Sequence, residues 1–338
     1  MASRSPILLA VTPGDPDGIG PEVTWKAIRK LSGKTPILCV GARAPFEKLK
    51  AKIEEVTTED LEDRTALVKR MRETRGPRVF LFPAPIPPAS AVASVPGFQS
   101  GWSIVEATRL ALSGFASALV TGPISKERLQ AGGFRFPGHT EFLAQLAAGQ
   151  DRPPIPVTMM LANDLLRVSL VTIHMALKDV PVALDAATLR TTISQTASFL
   201  RERLGIRRPR IAVAALNPHA GESGLFGDED ARIIAPELKR LASDRSFVLS
   251  GPHPADTLFA KHFLAKKSEK HDAIVCMYHD QGLIPVKLLD FKRTVNITLG
   301  LPFVRTSVDH GVGFDIAGKG RADPSSMISA IEMAIRLV

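Results

Sequence analysis

Short apolar runs rich in β-branched residues alternate along this chain with longer segments of helical periodicity, and that alternation leaves few architectures open. PILLAVT is followed by PEVTWKAIRKL, PILCVG by APFEKLKAKI, and SALVTG by SKERLQAGG. A strand covered on both faces reads as a continuous apolar run, and a crossover helix must carry the chain back before the next parallel strand can pair. The pattern predicts an α/β fold of α/β/α layers around mainly parallel sheets. Further runs of strand type, PVTMMLA, RVSLVTIH, RIAVAALNPH, DAIVCMYH and TVNITLG, lie between Leu129 and Leu299. They predict a second α/β/α domain over 129–299, with 1–128 and 300–338 closing on each other as the first. The proline-rich stretch from Pro83 to Pro96 reads as an extended connector, since proline lacks the amide that a helix interior uses.

With 338 residues, 45% hydrophobic and 23% charged, the chain can bury the cores of about two ordinary domains. No run approaches the roughly 20 apolar residues of a membrane span. Met1 to Pro6 lacks the charged-then-apolar pattern of a secretory signal, so a cytoplasmic address is expected. Cys39 and Cys276 sit inside apolar runs and are expected to be small buried thiols. The net charge is +9. Much of it lies in local helical segments such as Lys26 to Lys34, Lys48 to Arg75 and Arg201 to Arg210, partly mixed with acids and without interleaved aromatics. Solvated helix faces and attraction of anionic substrates account for that distribution better than a nucleic-acid stripe, so neither nucleic acid nor membrane is expected as a partner.

Three of the apolar runs end in histidine: RVSLVTIH at His174, RIAVAALNPH at His219 and DAIVCMYH at His279. In open parallel sheets the carboxyl ends of the strands face the ligand crevice, which would bring these imidazoles to one region. Three neutral imidazoles with an open position suit a divalent metal that polarises a substrate oxygen, whereas a single strand-end histidine is more often a hydrogen-bonded loop residue. His262 and His271, in AKHFLAKKSEKH, read as surface residues; His253 is undecided.

Polar clusters beside glycine or proline turns recur at TGPISK, PGHTEF, NPHAGE, PADT and DQGLIPVK. Exposed amides with a nearby Lys or Arg suit a phosphate or carboxylate. Towards the C-terminus, NITLGLPFVRTSVDHGVGFDIAGKGRADP combines Asn296, Arg305, Asp309 and His310 with five glycines. Glycine at that density, without low complexity, points either to a loop that approaches a cofactor closely or to a set of tight turns. Gly300, His310, Gly311 and Asp315 are the candidates for cofactor contact. No strand is followed by GxGxxG, so a Rossmann fingerprint is absent.

The segments TPGDPDGIGPEV, LVTGPISK, PGHTEFLA, NPHAGESGLFGDED, GPHPADTLF, YHDQGLIPVK and VNITLGLPFVRTSVDHGVGFDIAGKGRAD occur in this order. Taken together, they resemble the 4-hydroxythreonine-4-phosphate dehydrogenases of the pyridoxal phosphate pathway, the PdxA family, from about Leu8 to the C-terminus. The first and last of them are also similar to the isocitrate and isopropylmalate dehydrogenases, which implies a shared two-domain fold. The resemblance implies that His174, His219 and His279 bind a divalent metal, zinc or else magnesium or cobalt. It implies that His139, Thr140, Lys287, Asn296 and Arg305 contact the substrate. It also implies a homodimer with a shared site, one chain supplying the equivalents of His174 and His219 and its partner that of His279. The implied reaction is NAD- or NADP-dependent oxidation of 4-phosphohydroxy-L-threonine, with decarboxylation to 3-amino-2-oxopropyl phosphate.

Lys287, as a point charge, and Arg305, as a bidentate fork, suit the anionic ends of such a substrate. Asp256 in PADT would orient the amine or a ligand, or else cap a helix; with Lys287 it is the candidate for a catalytic role. Asp17 stands where many relatives carry a small residue. Related dehydrogenases acting on phosphorylated threonate, erythronate or a dihydrodiol are the alternative. A three-histidine hydrolase or aldolase without nicotinamide, or a non-catalytic phosphate-binding protein, would be a different class.

Overall fold

The computed structural model describes residues 6–31, 35–88, 90–149 and 151–338. Its strands, in chain order, are β1 (Leu9–Thr12), β2 (Ile37–Gly41), β3 (Ile53–Glu55), β4 (Val79–Pro83), β5 (Ala118–Thr121) and β6 (Thr158–Ala162). They continue with β7 (Arg167–Leu170), β8 (Arg210–Ala214), β9 (Val248–His253), β10 (Ala273–Cys276), β11 (Val295–Leu299) and β12 (Val304–Ser307). Contacts divide the chain into two units, one formed by the residues up to Ile155 with Leu301–Val338, the other by Pro156–Gly300.

The first unit carries strands in the order β3-β4-β2-β1-β5-β12. The pairings are parallel throughout, with Leu9 opposite Ile37 and Ala118, and Arg305 opposite Leu119. β1, β2 and β5 are buried at every position, the burial that their unbroken apolar sequences anticipate. Because these strands run the same way, the segments after β1, β5 and β12 leave from one edge of the sheet. PGDPDGIG, GPIS and the glycine-rich 309–322 all lie there. Two of the helices between strands start on serine caps: Ser94 accepts from the Gly97 amide at 3.1 Å and Ser125 from the Arg128 amide at 3.3 Å. Each such cap stabilises its helix by about 1 kcal/mol. Residues 84–88 and 90–94 form neither helix nor strand, and Pro96 then enters a helix within its first turn, a position that has no amide bond to lose.

The second unit has the order β11-β6-β7-β10-β8-β9. β7, β10, β8 and β9 are mutually parallel, while β6 runs antiparallel to both β7 and β11. Its core joins Met159, Leu161, Val168, Leu170, Ile274, Cys276, Leu283 and Val286. Truncating a residue such as Leu170 to alanine would cost about 2–5 kcal/mol. Both cysteines are free and fully buried, and burial pushes the Cys39 thiol up to about 12 and that of Cys276 higher. The reading of His262 and His271 as surface residues is corrected. His262 is 5% exposed and packs edge-on against Phe263, and His271 is half-buried beside it. The lysines around them mark the outer face of the segment, while the helix periodicity of Leu258 and His262 turns His262 inward.

Candidate active site

In the second unit, the segments after β7, β10, β8 and β9 leave the sheet at one edge. His174 follows β7 by four residues, and His279 opens the helix His279–Asp290 three residues after β10. Their ring centroids lie 5.5 Å apart, tilted by 46°. Both line a cavity of about 640 Å³ with Ile173, Leu177, Val180 and Tyr278. Nδ1 of His279 lies 2.7 Å from Oδ1 of Asp280. The carboxylate accepts, so Nδ1 carries a proton, and in the neutral imidazole Nε2 keeps its lone pair. That tautomer fits a borderline divalent cation such as zinc, so these two imidazoles are suitable donors for one.

His219 sits on a turn of unusual conformation. Residues His219, Ala220, Gly221, Glu222 and Ser223 all have positive φ, at 52°, 56°, 81°, 41° and 57°. Left-handed backbone costs an L-residue about 1–2 kcal/mol, and a run of this kind persists where its surroundings over-determine it. The anchor is Asp230, 2% exposed, whose carboxylate accepts from the amides of Leu216 at 2.8 Å and Asn217 at 3.0 Å. The Asn217 side-chain amide in turn donates to Glu229 at 2.7 Å. The turn presents the His219 ring 6.2 Å from that of Phe226. Among the described residues, no group of three or more His, Cys, Asp or Glu side chains is arranged to hold a metal ion. Within one chain His174 and His279 come together, and His219 is held on its own turn.

The remaining candidates of this unit are spread along it. Asp256 is exposed in the first turn of the helix Ala255–Leu264, where an acidic residue meets the positive end of the helix dipole. Lys287 lies on the His279–Asp290 helix with its ammonium 5.8 Å from the centre of the Phe291 ring. Asn296 is on β11, and its Oδ1 is buried without a hydrogen-bond partner. Gly300 adopts φ +89°, and a Cβ there would meet Gln195 Nε2 at 2.4 Å and the Pro156 carbonyl at 2.6 Å. Chain packing by itself accounts for glycine at that position.

In the first unit, Arg305 is on β12, 2% exposed, and donates to the Thr121 hydroxyl at 2.7 Å. Burial lowers its pKa to about 10, opposed by the charge of Glu141. His139 and Thr140 open the helix His139–Ala148. Burial and then the charge of Arg305 hold the His139 imidazole well below the usual histidine range, and its Nε2 is buried without a hydrogen-bond partner. A buried guanidinium and a neutral imidazole are thus electrostatic neighbours, an arrangement that suits an anionic group.

The 309–322 segment packs on the first loop of the chain. The Ile19 amide donates to the Val312 carbonyl at 2.8 Å. Nδ1 of His310 donates to the Gly311 carbonyl at 2.9 Å, and its Nε2 is buried without a hydrogen-bond partner. Asp315 is exposed, and a Cβ at Gly311 would meet open space. Asp17 accommodates itself by pairing: its carboxylate takes Arg128 at 2.7 Å, and its amide donates to Asp15 Oδ1 at 3.0 Å. Arg128 also reaches Asp15 at 3.2 Å and lies 4.5 Å over the Phe314 ring. Burial raises the Asp15 pKa against the opposing pull of its hydrogen bonds and of Arg128. Sequence reading gave no role to Arg128, Asp230, Asn217 or Glu229. The last three lie inside the NPHAGESGLFGDED motif, and their fixed spacing was the available signal.

The family model of the pyridoxal phosphate biosynthetic protein PdxA matches residues 33–334. A 4-hydroxythreonine-4-phosphate dehydrogenase of Desulfosudis oleivorans is 44% identical over 336 residues, which span 97% of this chain and 95% of that one. The enzyme of that name from Paracoccus denitrificans is 45% identical over 341 residues, 99% of this chain and 98% of that one. The solved structure of 4-hydroxythreonine-4-phosphate dehydrogenase from Klebsiella pneumoniae is similar with a TM-score of 0.82 at 38% identity, covering 98% of this chain and 99% of that one.

Proposed function

This chain belongs to the pyridoxal phosphate biosynthetic protein PdxA family, and from that premise we propose that it is a dehydrogenase of 4-phosphohydroxy-L-threonine. A bound nicotinamide, NAD or NADP, would supply the hydride acceptor for the secondary alcohol, whose hydroxyl gives up its proton. The resulting ketone is β to the carboxylate, so the C–C bond electrons flow into the carbonyl as carbon dioxide departs, and protonation yields 3-amino-2-oxopropyl phosphate. The place of the reaction is pyridoxal phosphate biosynthesis, in the cytoplasm; no helix among the described residues is long and apolar enough to cross a membrane.

The observation that carries the reading is the buried Arg305 guanidinium beside the neutral His139 imidazole. With its pKa near 10, Arg305 stays cationic at neutral pH and binds an anionic end of the substrate. His139 Nε2 and Thr140 complete that contact as hydrogen-bonding groups that add no second charge. Lys287 supplies a point charge to an anionic group, and Asn296 and Asp256 orient the hydroxyl and amine. His310, Gly311 and Asp315, with Gly300, are assigned to the cofactor. His174, His219 and His279 would hold the divalent cation, zinc or else magnesium or cobalt. When bound, the cation polarises the substrate hydroxyl and lowers its pKa.

The chain acts as a homodimer in this reading. Ile284 and Leu288 on the helix that opens at His279, and Phe291 at its C-cap, are 64%, 84% and 65% exposed, at spacings of four and three. A row of large apolar side chains left open to water is the ordinary mark of a protein interface. Substrate identity is tested by following NADH formation with 4-phosphohydroxythreonine, phosphoerythronate and phosphothreonate. The first should be preferred by tenfold or more in kcat/KM, about 1.4 kcal/mol of transition-state discrimination. Preference for either of the others transfers the assignment to that substrate, and metal-dependent turnover without nicotinamide overturns the dehydrogenase.

A further inference from the structure

The glycine-rich 309–322 segment makes few backbone hydrogen bonds of its own. The Ile316 amide reaches Gly313 at 3.1 Å and that of Lys319 reaches Ile316 at 3.3 Å, while Gly313, Gly318 and Gly320 take positive φ. Something outside the segment must therefore hold it. Glu22, 3% exposed, is the third residue of the helix Gly20–Leu31, and Lys26 lies one turn further on. The Glu22 carboxylate accepts from the Ala322 amide at 2.9 Å, the Gly320 amide at 3.2 Å and the Lys26 ammonium at 2.7 Å. Lys26 donates at the same time to the Gly320 carbonyl at 2.8 Å and the Ala322 carbonyl at 2.7 Å.

An ammonium has three protons, and all three are used here. Two loop amides and two loop carbonyls are clamped by one i,i+4 ion pair, across almost 300 residues of chain. Burying the Glu22 carboxylate costs desolvation that offsets much of the attraction to Lys26, so the pair is worth little as an ion pair alone. Its effect lies in the loop groups it satisfies, each of which would otherwise turn to water and free the backbone. Val312 is held separately by Ile19, and Phe314 by Arg128, so the Glu22–Lys26 pair governs the far end of the segment.

We infer that Glu22 and Lys26 are positioning residues that set the 309–322 segment for the nicotinamide cofactor. The inference rests on the dehydrogenase reading above and on the assignment of His310, Gly311 and Asp315 to that cofactor. Loss of the clamp leaves the backbone of 318–322 to reorder each time the cofactor binds, a cost that falls on cofactor affinity and not on the substrate-binding side chains.

Lys26→Met removes the three donated bonds from a side chain that is partly exposed, and Glu22→Gln replaces one acceptor oxygen with a donor that opposes the loop amides. Fluorescence titration with the reduced nicotinamide alone should show its Kd raised about tenfold, the equivalent of one charge-assisted hydrogen bond, and the steady-state KM for the nicotinamide should rise with it. KM for the phosphorylated substrate and kcat should stay within about twofold. Lys26→Arg, which keeps the donors, should recover part of the loss. An unaltered nicotinamide KM in folded Lys26→Met overturns the inference, as does an equal rise in both KM values. A wild-type enzyme that oxidises nothing with either nicotinamide would instead defeat the dehydrogenase reading itself.

Discussion

The imidazole of His279 lies 5.5 Å, centre to centre, from that of His174, and its Nδ1 donates to Oδ1 of the neighbouring Asp280 at 2.7 Å. Two segments leaving adjacent parallel strands have brought together two side chains more than 100 residues apart, with one of them oriented for donation through Nε2. The carboxylate does for His279 what an outer partner does for a metal-bound histidine generally: it selects the tautomer and restrains the ring.

The proposed divalent-cation site is tested at that pair. Asp280→Asn should weaken zinc affinity by about 10–100-fold while leaving the fold intact, as measured by competition with a chromophoric chelator. His219→Ala should abolish zinc binding and turnover together. Full activity in a metal-free His219→Ala protein would remove the metal from the proposal.

The left-handed turn that carries His219 makes a prediction of opposite sign to ordinary helix propensity. Ala220→Gly should leave stability unchanged or raise it by up to about 1 kcal/mol, because relief of the φ of 56° offsets the added freedom of the unfolded chain. The same replacement at Ala197, buried in the right-handed helix Ala186–Glu202, should cost about 1 kcal/mol or more. Urea denaturation of the two variants decides the matter. Asp230→Ala, which strands two amides, should cost about 2–4 kcal/mol in the same assay.

Arg305 separates charge from geometry. Arg305→Met should raise KM for the phosphorylated substrate by about 100-fold, the loss of a bidentate charged contact, with the nicotinamide KM little changed. Arg305→Lys should recover only part, since an ammonium cannot form the planar fork. An unchanged substrate KM in either variant would take Arg305 out of the anion site.

The second unit holds a histidine cluster with a pH signature. Ser250 Oγ lies 2.9 Å from His253 Nε2 and 3.2 Å from His271 Nε2, and His262 stacks 6.2 Å from His271. Burial lowers the His271 pKa to about 4, assisted by the charges of His262, His253 and Arg210 and opposed by Asp272. Lys261 and Lys270 add positive charge beside His253 and His262. The folded state therefore disfavours protonated His271, and its full stability is present above the unfolded pKa of about 6.5. As pH falls from 6.5 towards 4 the unfolded chain binds the proton first, and about 1–3 kcal/mol is lost after allowance for solvent screening. His271→Asn should flatten the stability profile between pH 6.5 and 4. A profile with unchanged slope would mean that other groups set the acid limb.

Much of this molecule was legible before any coordinate. Strands buried on both faces must be continuously apolar and crossover helices must be amphipathic, so PILLAVT, PILCVG and SALVTG announce β1, β2 and β5 and the α/β layering in one dimension. The turns at PGDPDGIG and in the 309–322 segment were marked by their glycines, because a backbone with positive φ or with no room for a Cβ restricts the residue type locally. APFEKLKAKI was legible in part: its helix stops at Lys48, and β3 begins at Ile53. What tertiary structure decided is everything that depends on which distant segments meet. It turned His262 and His271 inward, seated Asp17 and Asp15 on Arg128, placed His174 beside His279, and coiled His219 to Ser223 left-handed over Asp230. Those outcomes are set by burial and by hydrogen-bond partners remote in the chain, and periodicity, a property of neighbours, carries no record of them.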